Sequence, residues 1–108
     1  MSDQGAMPPY RIVIADDHSL IRQGIKSLIR TDPSLQITGE AGNGLELLEL
    51  LETDAPDLVI LDLTMPLLNG FDAIERISRT HPGVVMLVLS MHGGSHSFYR
   101  AIAAVHAE

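Results

Sequence analysis

The apolar residues of this chain fall into two alternating patterns, short continuous runs and helically spaced positions. Four runs have the length of strands: Arg11–Ala15, Leu35–Glu40, Leu58–Leu61 and Val84–Leu89. Three of them are almost uninterruptedly apolar, which is typical of strands buried on both faces. The second run alternates apolar and polar residues, as an edge strand with one solvated face would. The pattern therefore predicts a four-stranded sheet with mostly buried strands.

Helical spacing predicts a helix after each of these runs. Pro33, Pro56 and Pro82 stop the first three helices, because proline cannot continue a helix. Asn43 with Glu46 three residues later resembles a capping box at the start of the second helix. A final helix is predicted over Ser97–Ala107. The apolar positions predicted on the first three helices are Leu20, Ile21, Gly24, Ile25, Leu28 and Ile29, then Leu45, Leu48 and Leu51, then Phe71, Ile74 and Ile77.

The predicted order is β-α-β-α-β-α-β-α. Strands without alternation imply a parallel sheet covered by helices on both faces. With right-handed crossovers this is a doubly wound α/β fold. In such folds ligands bind beyond the carboxyl ends of the strands.

Composition narrows the possible functions of the chain. Its 108 residues suit one domain, and 14 Asp and Glu against 7 Lys and Arg give a net charge of −7. That charge disfavours direct contact with nucleic acid, and the apolar runs are too short for a membrane span. The absence of cysteine excludes disulfides and is compatible with the cytoplasm. We expect residues 1–9 to be a disordered segment or tag remnant, not a secretory signal, and residues 10–108 to form the domain.

Polar residues end three of the predicted strands. Asp16 and Asp17 follow the first, Asp62 follows the third and Ser90 follows the fourth. Parallel strands place these ends together, and carboxylates held close repel one another and have raised pKa values. A hard divalent cation resolves that repulsion, and Mg²⁺ accepts a few carboxylates together with water and phosphate oxygens.

These segments carry a family resemblance. Residues 14–18 (IADDH), residues 59–66 (VILDLTMP) with Gly70, and residues 88–90 (VLS) resemble the receiver domain of two-component response regulators. The match runs over about Tyr10–Ala104. A closer resemblance, to receivers attached to LuxR-type helix-turn-helix domains, is carried by residues 16–18 (DDH), residues 39–41 with 43–44, and residues 89–92. The implied fold is flavodoxin-like, as in CheY-like receivers.

The resemblance implies a role for each matching residue. Asp62 would accept a phosphoryl group from a histidine kinase. Asp17 would bind Mg²⁺ directly, Asp16 would assist mainly through water, and the backbone carbonyl of Thr64 would supply a further oxygen. Ser90 would donate its hydroxyl to a phosphoryl oxygen. The domain would thus be a signalling module and not an enzyme, and it would control transcription through a DNA-binding domain elsewhere.

Receivers normally continue with a fifth strand, whose terminal lysine pairs with the acceptor aspartate, and with a fifth helix. We expect this chain to lack both, so that residues 10–108 form a receiver that is incomplete at its C-terminus. The only lysine here is Lys26, in the predicted first helix. We therefore keep an alternative, a truncated receiver that takes no phosphate and acts only in dimerisation or other interactions. An uncovered fourth strand would be an apolar edge, so we expect a homodimer or higher oligomer through that edge or through helix 4.

Two other interpretations are weaker. A phosphatase with an aspartate nucleophile, of the haloacid dehalogenase type, needs Asp-x-Asp, whereas Asp62 is followed by Leu63 and Thr64. The five histidines lack the metal-binding His-Glu-x-x-His spacing, so we interpret them as solvated loop residues: His18, His81, His92, His96 and His106.

Overall fold

The computed structural model of the chain describes residues 8–63, 70–92 and 98–106, with side chains described for 8–63 and 71–89. Its elements, in order, are β1 (Tyr10–Ala15), α1 (Ser19–Ile29), β2 (Leu35–Ala41), α2 (Gly44–Thr53), β3 (Leu58–Asp62), α3 (Gly70–Thr80), β4 (Val85–His92) and β5 (Phe98–His106). No helix in the described ranges is long and apolar enough to cross a membrane.

The sheet order is β2-β1-β3-β4-β5, and the first four strands are parallel. The predicted doubly wound parallel sheet is confirmed for these four strands. Because crossover helices connect the parallel strands, the carboxyl ends of β1, β3 and β4 meet at one end of the sheet. We call this the carboxyl end, and the opposite one the amino end.

The prediction of a final helix over Ser97–Ala107 is wrong. Phe98–His106 forms β5, which pairs antiparallel with β4 from Val85↔His106 to His92↔Phe98. The physical reason is that β4 would otherwise present a row of unpaired backbone groups, which an antiparallel return strand satisfies. The open β4 edge and helix 4, which we predicted as oligomerisation surfaces, are therefore both absent from the described chain. We expected the chain to stop before a fifth strand, whereas the structure has β5, which runs antiparallel to β4.

The core has two parts, one on each face of the sheet. Under α2 and α3, residues such as Val59, Leu61 and Ile77 are completely buried. Under α1 the buried set is smaller, comprising Ile12, Ile14, Ile29 and Ile60, with half-buried apolar side chains around it. Apolar packing thus holds β1 and β3 on both faces of the sheet.

Several apolar positions predicted on the helices do not face the core. Leu20 and Leu28 of α1 are 79% and 73% exposed, and Phe71 of α3 is 69% exposed. Leu45 of α2 is also exposed, while Leu47 is buried in its place. Helical spacing identifies an apolar stripe, but the docking angle of each helix decides which side of that stripe meets the sheet.

Charged side chains join the strands at the amino end. The Arg11 guanidinium lies 2.7 Å from Asp54 Oδ1 and donates to the carbonyl oxygen of Ala55 at 2.5 Å. The Arg11 backbone N–H donates to Asp57 Oδ2 at 2.8 Å. These contacts tie the start of β1 to the segment between α2 and β3.

Candidate functional site

Two buried carboxylates lie side by side at the carboxyl end of the sheet. Ala15 pairs with Leu61 in the β1–β3 register, so the residues that follow them, Asp16 and Asp62, are level with each other. Asp16 is 1% exposed and Asp62 is completely buried. The structure thus brings together the aspartates that the sequence placed on separate strands, and Asp17 lies beside them, more exposed.

His18 completes this group of side chains. Its Nδ1 atom is 2.9 Å from Asp16 Oδ1, 3.1 Å from Asp17 Oδ1 and 3.9 Å from Asp62 Oδ2. His18 lies in the loop between β1 and α1 with its side chain 41% exposed, as interpreted, but the contact of its ring with the aspartates was not predicted. The sequence signal that could have found it is its position directly after two aspartates at a strand end.

Local backbone bonds hold the segment that carries these residues. The Asp16 N–H donates to the Ala41 carbonyl at 3.0 Å, continuing the β1–β2 ladder. The His18 N–H donates to Asp16 Oδ1 at 2.8 Å, which forms a turn closed by an aspartate side chain. His18 is then the N-cap of α1, and its carbonyl accepts from the Arg22 N–H at 3.1 Å.

Arg22 links the site to β2. Its guanidinium donates to the Asp16 carbonyl oxygen and lies 3.1 Å from Glu40 Oε1. Lys26 Nζ lies 2.7 Å from Glu40 Oε2. Lys26, followed by Arg22, lowers the pKa of Glu40. The only lysine of the chain thus pairs with β2 and not with the aspartates of the site.

Burial raises the pKa of Asp16, because the charged carboxylate loses water there. Hydrogen bonds from His18 oppose this shift, and the nearby Asp62 charge adds to it. The pKa of His18 is raised, first by its hydrogen bond to Asp16. One oxygen, Asp16 Oδ2, is buried with no hydrogen-bond partner among the described residues.

The donor set fits a divalent cation. Each of Asp16, Asp17, His18 and Asp62 offers a ligand atom, and these atoms all lie within 4.8 Å of one another. A cation would compensate carboxylates that burial and mutual repulsion otherwise disfavour as anions. The strongest sign of a cation site is Asp16 Oδ2, which is buried without a hydrogen-bond partner among the described residues and could bind the ion.

The remaining predicted site residues are only partly described. Thr64 lies outside the described residues. Ser90 lies within β4, which continues to His92 and does not end at Ser90 as predicted. Its neighbour Leu89 pairs with Asp62, and Arg100 of β5 lies opposite Ser90 in the register.

A family model matches almost the whole chain. Residues 12–107 match the family described as the response regulator receiver domain. The chain belongs to this family. Receivers are signalling domains, so the interpretation of the chain as a signalling module is confirmed at that level.

Relatives support the same assignment. The transcriptional regulatory protein DegU of Brevibacillus brevis is 35% identical over 92 residues, covering 85% of this chain and 39% of the relative. The receiver domain of the response regulator NarL from Mycobacterium tuberculosis superposes with a TM-score of 0.75 at 29% identity, covering 82% of this chain and 72% of that one.

The resemblance to LuxR-type receivers is also confirmed. A solved two-component response regulator of the LuxR family from Aurantimonas sp. SI85-9A1 is 33% identical, with a TM-score of 0.73, covering 81% of this chain and 62% of that one. The chain spans less than half the length of the curated relatives DegU and YhcZ that it matches.

Proposed function

We propose that residues 10–108 act in the cytoplasm as a phosphoacceptor receiver, in which Asp62 takes a phosphoryl group from a histidine kinase with Mg²⁺ as cofactor. The observation that carries this proposal is the position of Asp62. It is completely buried at the end of a parallel strand, next to Asp16 and Asp17. Strand ends of this kind are where doubly wound folds bind their ligands.

The reaction needs few protein groups. An Asp62 carboxylate oxygen forms a bond to phosphorus as the bond from phosphorus to the kinase histidine nitrogen breaks, and that nitrogen leaves with its electron pair and takes up a proton. Mg²⁺, when bound, neutralises charge on the carboxylate and on the phosphoryl oxygens. Asp16, Asp17 and the Thr64 carbonyl would hold the cation, while the β1–β3 register and the bond from Leu63 N–H to the Leu89 carbonyl at 3.2 Å position Asp62.

The output side of the proposal involves β4. The Ser90 hydroxyl would bind a phosphoryl oxygen on Asp62, which couples the phosphorylated state to the position of β4. Because Asp62 pairs directly with Leu89, a small displacement of the Asp62 backbone would displace β4 as well. The change would alter an interaction surface and control transcription through a DNA-binding domain.

One observation favours the alternative, a receiver that takes no phosphate and acts only as a dimerisation or interaction module. Lys26 is the only lysine in the chain and is paired with Glu40 on the outer strand β2. The lysine side chain that the family places beside the acceptor aspartate is therefore absent from the described residues of the site.

Phosphorylation can be tested by intact mass after incubation of the chain with acetyl phosphate and Mg²⁺. We expect one adduct of about 80 Da, the mass of a phosphoryl group, stable in acid and lost in base. Asp62→Asn should remove the adduct, whereas Asp57→Asn, the same substitution at the amino end, should retain it. No adduct on folded protein would refute phosphoacceptor function and favour the interaction module.

A further inference from the structure

We propose that His18 is a fourth protein ligand of the cation, so that this site binds divalent ions of the Zn²⁺ and Co²⁺ type more tightly than Mg²⁺. The inference rests on the proposed function only in that the aspartates hold a cation.

The first argument is the direction of the imidazole ring. Nδ1 faces the carboxylates, at 2.9 Å from Asp16, 3.1 Å from Asp17 and 3.9 Å from Asp62. A histidine kept only for helix capping would use its backbone, and His18 does so without any side-chain cap bond. The ring therefore contacts the carboxylates in addition to the capping role of the backbone.

The second argument is that the backbone of His18 is fixed from both sides. Its N–H is bonded to Asp16 Oδ1 and its carbonyl to the Arg22 N–H. The Asp16 side chain therefore fixes the backbone of the residue that carries the imidazole. A ligand whose main chain is held in this way loses little further conformational freedom when it binds a metal.

The third argument is the size of the cluster. Ligand atoms lie about 2.0–2.2 Å from Zn²⁺, so two ligands of one ion are at most about 4.4 Å apart. The four candidate atoms already lie within 4.8 Å of one another. Side-chain shifts of roughly an ångström would bring them around one ion.

The fourth argument is chemical preference. Mg²⁺ favours all-oxygen sites, whereas imidazole suits later divalent metals, whose affinity rises toward the end of the first transition series. Asp16 Oδ2, buried and partnerless among the described residues, shows independently that the cluster has a ligand atom to offer. An imidazole beside three carboxylates therefore shifts the selectivity away from Mg²⁺.

The test compares Co²⁺ and Mg²⁺ binding to the metal-free chain by calorimetry, with the visible spectrum of Co²⁺ as a report on nitrogen ligation. We expect one Co²⁺ per chain, bound more tightly than Mg²⁺. His18→Asn, which retains a good helix cap, should weaken Co²⁺ binding by about tenfold or more and leave Mg²⁺ binding nearly unchanged. His81→Asn is the matched control, since His81 follows α3 at the amino end beside Thr80.

Equal loss of both metals in His18→Asn, or no loss of either, would overturn the inference. If that variant does not fold, nitrogen-15 NMR of the wild-type chain decides, because Zn²⁺ should shift the His18 Nδ1 resonance and an unshifted resonance refutes ligation. Failure of the proposed function is distinguishable from these results. It would leave Asp62 without a phosphoryl adduct while the metal titrations stay as expected.

Discussion

At the amino end of the sheet, Arg11 lies between Asp54 and Asp57, whereas at the carboxyl end Asp16 and Asp62 are buried beside each other. Each carboxylate at the amino end has a guanidinium or backbone N–H within reach and keeps access to water. At the carboxyl end one carboxylate oxygen has no partner among the described residues, and the basic group in contact with Asp16 Oδ1 is the His18 imidazole, while the Arg22 guanidinium is bonded to the Asp16 backbone carbonyl. Charges at the amino end thus stabilise the fold, while those at the carboxyl end reduce its stability and favour binding of a cation.

The largest effect that separates the two ends should come from a divalent cation. Mg²⁺ at 100 times its dissociation constant should raise the free energy of unfolding by about 2.7 kcal/mol, because it binds only the folded chain. Urea unfolding with and without Mg²⁺ measures this. Asp16→Asn should abolish the gain and Asp57→Asn should preserve it. Equal gains in both variants would place the cation elsewhere.

The same substitution should change stability in opposite directions at the two ends. Without metal, Asp16→Asn removes a buried charge and should stabilise the fold by about 1–3 kcal/mol at neutral pH. Asp57→Asn weakens an exposed pair with Arg11 and should destabilise by about 0.5 kcal/mol. Chemical denaturation of both variants beside the wild type gives the two signs, and destabilisation by Asp16→Asn would contradict the comparison.

The gain from Asp16→Asn should also depend on pH. Since the pKa of Asp16 is raised above its ordinary value of 3.8, its stabilising protonated form is fully populated below that value. This contribution is lost as the pH rises through the folded-state pKa. The advantage of the asparagine variant should therefore be present at neutral pH and shrink in acid. A pH-independent difference would mean that ionisation of Asp16 is not its cause.

At the amino end, removal of the Arg11 guanidinium should have a modest effect. Arg11→Met keeps much of the aliphatic volume and removes the bonds to Asp54 and the Ala55 carbonyl. We expect a loss of about 1 kcal/mol, since these contacts are only partly buried. Arg30→Met, a change of the same type at an exposed position after α1, should have almost no effect on the denaturation midpoint. Similar losses in both variants would show that the amino-end network adds nothing specific.

Much of the parallel part of the fold follows from local pattern. Continuous apolar runs predicted β1, β3 and β4 within a few residues, because burial on both faces demands such runs, and alternation of apolar and polar residues predicted the edge strand β2. The Asn43 cap is also local, and Glu46 N–H donates to Asn43 Oδ1 at 2.9 Å. The Glu46 side chain, however, accepts from Gly42 N–H and not from the Asn43 N–H of a capping box.

The errors lie where distant parts of the chain compete. Residues 98–106 are compatible with helix or strand by local pattern, and the unpaired side of β4 decided for strand. The exposure of Leu20, Leu28 and Phe71 depends on how α1 and α3 dock on the sheet. The position of His18 depends on a turn closed by the Asp16 side chain, which residue spacing does not show.

The sequence by itself determined the parallel α/β class, the family, and the presence of Asp16, Asp17 and Asp62 at strand ends. It could do so because the two-residue and 3.6-residue periodicities and the strand-end motifs are properties of neighbouring residues. Only the tertiary structure decided that Asp16 and Asp62 are both buried, that His18 faces three carboxylates, and that β4 is paired on both sides. Burial, repulsion between charges and strand pairing depend on residues far apart in the chain, so they exist only once the sheet has assembled.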